Sequence, residues 1–126
     1  MPSTNFSSVI VSAKCDVTSW DDQLALFALG FETFGAIDIV LPNAGVNEIG
    51  RFDQRLEEGA QDAPTRPNLK TVDIDLIAVL YTARIALWYF SNDTRDEPGL
   101  RGITFTGSMS TFFGVPMGVM YSVAKA

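Results

Sequence analysis

Three short apolar runs, set apart by two longer stretches of helical spacing, constrain this chain most. The runs lie in Ser8–Ala13 (around Val9-Ile10-Val11), Ile37–Leu41 and Ile103–Thr106. Their β-branched content predicts buried strands. Between the first two runs, Leu24, Phe27, Ala28, Phe31 and Phe34 recur at helical spacing. This predicts a helix over 20–34. Ser19 or Thr18 can cap its start, Asp21 and Asp22 suit its first turn, and Gly35 can stop it. Between the second and third runs, Leu69, Val72, Leu76, Val79, Leu80, Ala83, Leu87 and Phe90 form a broad stripe over 69–90. The segment is apolar on more than one side, so it is expected to be buried or packed on a partner. A last helix begins near Met120, and the chain stops roughly two turns short of a normal helix length. Strand and helix alternate three times. That order implies parallel strands, right-handed crossovers and a three-layer α/β architecture.

The connections are equally patterned. Pro42-Asn43-Ala44-Gly45 is a small-residue turn at a strand end, where backbone can approach a ligand closely. Asn47 to Asn68 is polar, holds Pro64 and Pro67, and reads as a long loop with one helical turn near Arg55–Glu58. Ser91 to Gly99 is a charged turn, and Phe112 to Val119 a Gly/Pro-broken loop. No internal repeat is visible.

Composition narrows the chemistry. With 126 residues, positions 1–126 form one domain at most. At 47% apolar residues the chain is globular in class. It has no histidine, which removes Ser-His-Asp and Cys-His catalysis and every His-ligated metal site; no metal is expected. The net charge of −6 argues against a nucleic-acid partner, because phosphate binding wants a basic face. The single Cys15 permits no internal disulfide and fits a reducing compartment. The N-terminus shows neither a basic region nor an apolar run of a signal peptide, so a cytoplasmic location is expected. The longest apolar run, Leu76 to Phe90, is broken by Arg84 and is too short to span a bilayer, so no membrane partner is expected.

Ser108 closes the third strand, where α/β sheets build their sites. Tyr121 and Lys125 lie four residues apart and share one helix face. A hydroxyl, a phenol and an ammonium group converging there make a proton-transfer device. A free phenol is a poor base at neutral pH, and a neighbouring ammonium favours the phenolate. Each group also has a plainer reading: a serine capping the strand-end turn, a solvated Tyr-Lys helix face, an ordinary Asn-Ala-Gly turn.

Together these residues resemble the short-chain dehydrogenase/reductase family. The match rests on Asn43-Ala44-Gly45 after a strand, Ser108 at the next strand end, and Tyr121-x-x-x-Lys125 thirteen residues after that serine. Asp16-Val17 after the first run and Phe34-Gly35-x-Ile37-Asp38 before the second also fit. The resemblance covers the chain from about Val9 onward. Within the family the residues are similar to NAD-dependent alcohol dehydrogenases of the hydroxyprostaglandin-dehydrogenase type. It implies a Rossmann-like parallel sheet and NAD or NADP as cofactor. It also implies interconversion of a secondary alcohol and a ketone as the activity, and a homodimer or homotetramer in the full-length parent. By resemblance, Tyr121 is the general acid/base, Lys125 supports it and holds the nicotinamide ribose, and Ser108 orients the substrate oxygen. Asp16 and Val17 face the adenine end, and Asn43, Ala44 and Gly45 line the cofactor cleft. For Asp16 a plain turn or helix-cap aspartate is the competing reading. The face of the Leu69–Phe90 helix corresponds to a subunit interface, with core packing as the alternative.

Three departures stand out. No Gly-rich turn precedes Val9 to hold a pyrophosphate on a helix N-terminus. Asp75 stands where the family carries an asparagine in its long helix, which puts a carboxylate in the proton relay. The chain ends at Ala126, one residue after the lysine. In the family the first two strands lie between the third and fourth, so the strands present flank a gap, and unpaired buried edges are costly. The expectation is an incomplete sheet, lacking strands 1–2 and the C-terminal strands. The chain would be an internal piece of a longer enzyme, inactive alone. Tight NAD(H) binding and a cooperative melt by the 126-residue chain would contradict this. One rival is a degenerate, non-catalytic homologue that binds partners through the Leu69–Phe90 helix. It predicts no NAD(P)H signal in a fluorescence titration. A receiver-like module is disfavoured, because Asp38 sits at a strand start rather than a strand end.

Overall fold

A computed structural model describes residues 10–50, 52, 63–97 and 99–126. Helix α1 is Trp20–Phe34. Its N-cap is Ser19, whose Oγ accepts from the Asp22 N–H at 3.2 Å and donates to Asp22 Oδ1 at 3.0 Å. Gly35 ends it in the left-handed conformation (φ 77°), its N–H bonded to the Phe31 carbonyl. These are the caps expected from sequence, with Ser19 rather than Thr18 in the role.

Strand β1 (Ile39–Val40) pairs in parallel with β2 (Gly102–Ile103), Ile39 opposite Gly102 and Val40 opposite Ile103. Bonds from Gly102 N to Asp38 O (2.9 Å) and Thr104 N to Val40 O (3.0 Å) extend the ladder at both ends. Both strands are shorter than the apolar runs that carry them. A run becomes strand only where a neighbour accepts its hydrogen bonds, and beyond these two bonds the runs find no further ladder partner among the described residues. The same reason corrects the first expected strand. Ser8 and Val9 lie outside the described residues, and Ile10–Ala13 form no ladder, with Ile10 89% exposed. The expected helical turn at Arg55–Glu58 also lies outside the described residues.

The long helical segment runs over Lys70–Ser91 as one 22-residue helix with three sections. They are α2 (Lys70–Val72), a π turn (Asp73–Ile77) and α3 (Ala78–Ser91). The Ala78 N–H reaches the Asp73 carbonyl, which inserts one residue into the spiral. By length and composition alone this helix could cross a membrane, unlike the shorter run read from sequence. One side of it packs on α1 and the sheet.

The core joins α1, β1 and α3 through Phe27, Val40, Ile85 and Ala86, with Ile37, Tyr89, Phe90 and Ile103 against them. Phe27 stacks on Tyr89 at 5.6 Å between ring centroids. Val40 faces these helices, whereas Ile39 and Leu41, on the opposite side of the strand, are 59% and 64% exposed. The α/β order and the parallel sheet are as expected. Among the described residues the helices cover one sheet face.

The buried line of the long helix is not the leucine stripe. Thr71, Asp75, Ala78, Ile85 and Ala86 are buried, while Leu80 and Leu87 are more than half exposed. On α1, Gln23 is buried beside Phe27. Its Nε2 donates to the Val17 and Ala78 carbonyls, and its Oε1 accepts from Thr82 Oγ1. A buried polar group survives only when its bonds are made, and here they tie α1 to α3.

Residues 92–97 lead the chain from α3 toward β2. Arg95 grips Asp93 and Asp38, and Arg101 bonds Asp93 (2.8 Å) and the Phe90 carbonyl (2.7 Å). Beyond β2 come a 3₁₀ turn (Met109–Thr111) and helix α4 (Val119–Lys125).

Candidate active site

The segment after β1 is held by the long helix. Val46 N–H donates to Asp75 Oδ1 (2.8 Å), and Ile49 N–H to Thr71 Oγ1 (2.8 Å). Thr71 Oγ1 in turn donates to the Asn47 carbonyl (3.2 Å). Thr71 and Asp75, four residues apart, share the helix face that meets this segment, and the π turn begins between them. An inserted π residue of this kind is frequent at functional sites.

Helix α4 meets the same segment from the other side. Its N-cap, Gly118, offers no side-chain bond. Glu48 supplies it: Oε1 accepts from Met120 N–H (3.3 Å) and Oε2 from Tyr121 N–H (2.8 Å). The entry to α4 is strained. Gly118 N–H bonds the Val115 carbonyl (3.0 Å) in a turn whose third residue, Met117, sits at φ 63°. Left-handed backbone of that kind favours glycine.

Between these elements lies a cleft of 270 Å³, lined by Asn43, Gly45, Val46, Asn47, Asp75, Thr106, Tyr121 and Lys125. Lys125 Nζ stands 3.4 Å from Asp75 Oδ2, with side chains 8% and 0% exposed, and 5.9 Å from the Tyr121 ring centroid. Two opposite charges buried this deeply hold each other, since either alone would be an uncompensated buried charge. Asp75 Oδ2 makes no hydrogen bond among the described residues. Gly45 fits because it has no side chain: a Cβ there would lie 3.2 Å from Lys125 Nζ and 3.4 Å from both Asp75 oxygens.

The expected site residues divide as follows. Asn43, Gly45, Asp75, Tyr121 and Lys125 share the cleft. Ser108 is half-buried and does not line it. Its Oγ accepts from Ser110 N–H (3.2 Å), which is the turn-capping bond. Val17, Asn43 and Ala44 line an adjoining apolar cavity of 380 Å³, with Cys15, Gln23 and Phe27, so Asn43 belongs to both hollows. Asp16 is exposed, and its Oδ1 accepts from Thr18 Oγ1 (2.8 Å) and Thr18 N–H (3.0 Å). Those bonds, the side-chain one first, hold its carboxyl below the usual range. Sequence reasoning passed over Glu48, Thr71 and Thr106. Thr106 Oγ1 donates to Asn43 Oδ1 (3.2 Å) across the cleft. Thr106 could have been found as the residue two before Ser108 on the same strand run. Glu48 carries no motif.

Compared with known proteins, the profile of the short chain dehydrogenases matches residues 3–126. The chain belongs to the short-chain dehydrogenase/reductase family. It is 31% identical over 121 residues to the NADP-dependent dehydrogenase clz5 of Cochliobolus lunatus, spanning 89% of this chain and 42% of that protein. It is 30% identical over 120 residues to the 5'-hydroxyaverantin dehydrogenase of Dothistroma septosporum, with 88% and 39% covered. A short-chain glucose/ribitol dehydrogenase structure from Brucella melitensis superposes with a TM-score of 0.69 at 27% identity, covering 92% of this chain and 43% of that one. The chain thus spans about two fifths of the length of the relatives it matches. Those likenesses accord with a Rossmann-like parallel sheet present in part.

Proposed function

We propose that this short-chain dehydrogenase/reductase segment carries the proton-transfer machinery of an NAD(P)-dependent oxidoreductase that interconverts a secondary alcohol and a ketone. One observation carries the reading: Tyr121, Lys125, Asn43, Gly45 and Asp75 converge on a single cleft. The donor set fits the hydroxyl-rich ribose end of a dinucleotide. Lys125 offers an ammonium, Tyr121 a phenol and Asn43 an amide, and the bare Gly45 backbone leaves room beside them. Val17 and Ala44 extend the lining away from Asn43, with Asp16 next to Val17, which supports a role for these residues toward the adenine end.

NAD(P), when bound, supplies or takes up the hydride. The chain's own residues manage the proton. In oxidation Tyr121 Oη removes the alcohol proton as the carbinol carbon loses hydride; in reduction it returns a proton to the carbonyl oxygen. Lys125 keeps its ammonium beside the phenol, 5.9 Å from the ring centroid, within reach of the hydroxyls that the phenol faces. Asp75 balances that charge from the buried side and holds the 46–49 segment in place. Ser108, at the mouth of the 3₁₀ turn, orients the substrate oxygen once its Oγ turns from Ser110. Two of the relatives, clz5 and the M3 protein of a Phoma species, are named NADP-dependent, so NADP(H) is the coenzyme to try first.

The decisive experiment is Tyr121→Phe in the complete protein. Turnover should fall by about 10²- to 10⁴-fold with the melting temperature unchanged. Turnover equal to wild type would count against the reading. A second reading, a non-catalytic partner-binding homologue, draws on the exposed apolar face of α3. A binding isotherm for NADPH by fluorescence separates the two, since that homologue gives none.

A further inference from the structure

We propose that Glu48 is a positioning residue: its carboxylate sets the first turn of α4 and thereby the place of Tyr121. The inference rests on the reading of Tyr121 as the acid/base, and it names the group that aims it. Helix α4 is short, starts from a glycine without a side-chain cap, and follows a turn with Met117 at positive φ. Such a helix does not hold its own first turn firmly. Each of its N–H groups at the second and third positions finds one Glu48 oxygen, and the third position is Tyr121 itself. The carboxylate therefore does the work of an N-cap from a point 73 residues back in the chain. Its negative charge also suits the positive end of the helix.

The other end of the connection matters as much. Glu48 lies between Asn47 and Ile49, whose backbone is bound to Thr71, and two residues beyond Val46, which is bound to Asp75. The same short segment thus grips the buried partner of Lys125 and the backbone of Tyr121. A shift of the segment would move phenol and ammonium relative to each other. A displacement of about 1 Å in a reacting group can cost roughly a hundredfold in rate.

The test uses the full chain labelled with ¹³C-tyrosine and ¹⁵N, as wild type, Glu48→Gln and Glu48→Ala. Tyr81 and Tyr89, the other two tyrosines, are internal controls. In Glu48→Ala the Tyr121 ring signals should move and the Met120 and Tyr121 amides should exchange about tenfold faster or more, while Tyr81 and Tyr89 stay in place. Glutamine keeps one accepting oxygen for two N–H groups, so Glu48→Gln should fall between. In the complete protein, kcat for NADPH-dependent reduction of a small aromatic diketone should drop by about 10- to 100-fold with the KM for NADPH within about twofold. Tyr121 ring and amide signals identical to wild type in both variants would overturn the proposal. So would all three tyrosines moving alike in Glu48→Gln, which marks a merely structural role. Full turnover in Tyr121→Phe sinks the catalytic reading and leaves the anchor standing; an unmoved Tyr121 in Glu48→Ala does the reverse.

Discussion

At Cys15, burial first, then the carboxylates of Asp22 and Asp16, push the thiol upward. A raised thiol holds less thiolate at neutral pH and is a weak nucleophile there. Alkylation by iodoacetamide should still be accelerating above about pH 8.5, where an ordinary cysteine is already half ionised. A rate profile that levels off below that pH would contradict the assignment. The residue scale also shows what sequence reading can and cannot reach. Tyr121 and Lys125 were legible because their relation is local, four positions on one helix. Asp75 was legible as a departure from a pattern. Glu48 was not, because a carboxylate in a polar loop has no meaning until the backbone it caps is folded beside it. Thr71 and Gln23 escaped for a related reason: their burial depends on carbonyls and N–H groups delivered by distant segments.

Elements were legible where their ends are local. The bounds of α1 follow from Ser19 and Gly35, and both act within one turn. Ser19→Ala should cost about 1 kcal/mol of stability, read by urea unfolding, with Ser19→Asp close to neutral. An unchanged midpoint in the alanine variant would show that Asp22 carries the cap alone. Strand length was less legible, since it depends on the neighbour: β1 and β2 are strands only across their shared ladder. The β1–β2 pairing is reinforced by the turn before β2. Hydrogen bonds from Arg95, side chain before backbone, and then the charge of Arg101 hold the Asp93 carboxyl well below the usual carboxylate range. Its folded value is depressed, so its contribution is present above the unfolded value of about 4 and is lost as pH falls through the folded one. Asp93→Asn should therefore melt below wild type at neutral pH, and the gap should close as the solution is made strongly acidic. A gap that widened in acid would refute this. High salt should narrow it too, because the cluster is near the surface.

At the scale of the whole molecule, the α/β order and the parallel sheet could be read from the second and third apolar runs and the two helical stretches, whereas the first run forms no ladder among the described residues. What could not be read is which side of the long helix faces inward, because the π turn shifts the register between Asp75 and Ala78. The face left outside carries Leu80 (56% exposed), Leu87 (52%) and Trp88 (56%). We propose that a second copy covers it in the complete protein. Leu87→Glu should then shift sedimentation equilibrium toward the monomer, with turnover per subunit changed less than the mass. A wild type that sediments as a monomer at micromolar concentration would exclude this. Surfaces of this kind on a monomer usually mark an interaction site.

The π turn has one more consequence. A helix with an extra residue wound into it owns a place where length can change by one. Deleting a residue within Asp73–Ile77 would let the spiral close to ordinary pitch while Ala78–Ser91 stayed seated on α1. The molecule would keep its hydrophobic core, yet Asp75 would swing away from Val46, Lys125 would lose its counter-charge, and the melt would fall by what that buried pair was holding. The same few residues thus couple the length of the helix to the charge balance of the cleft.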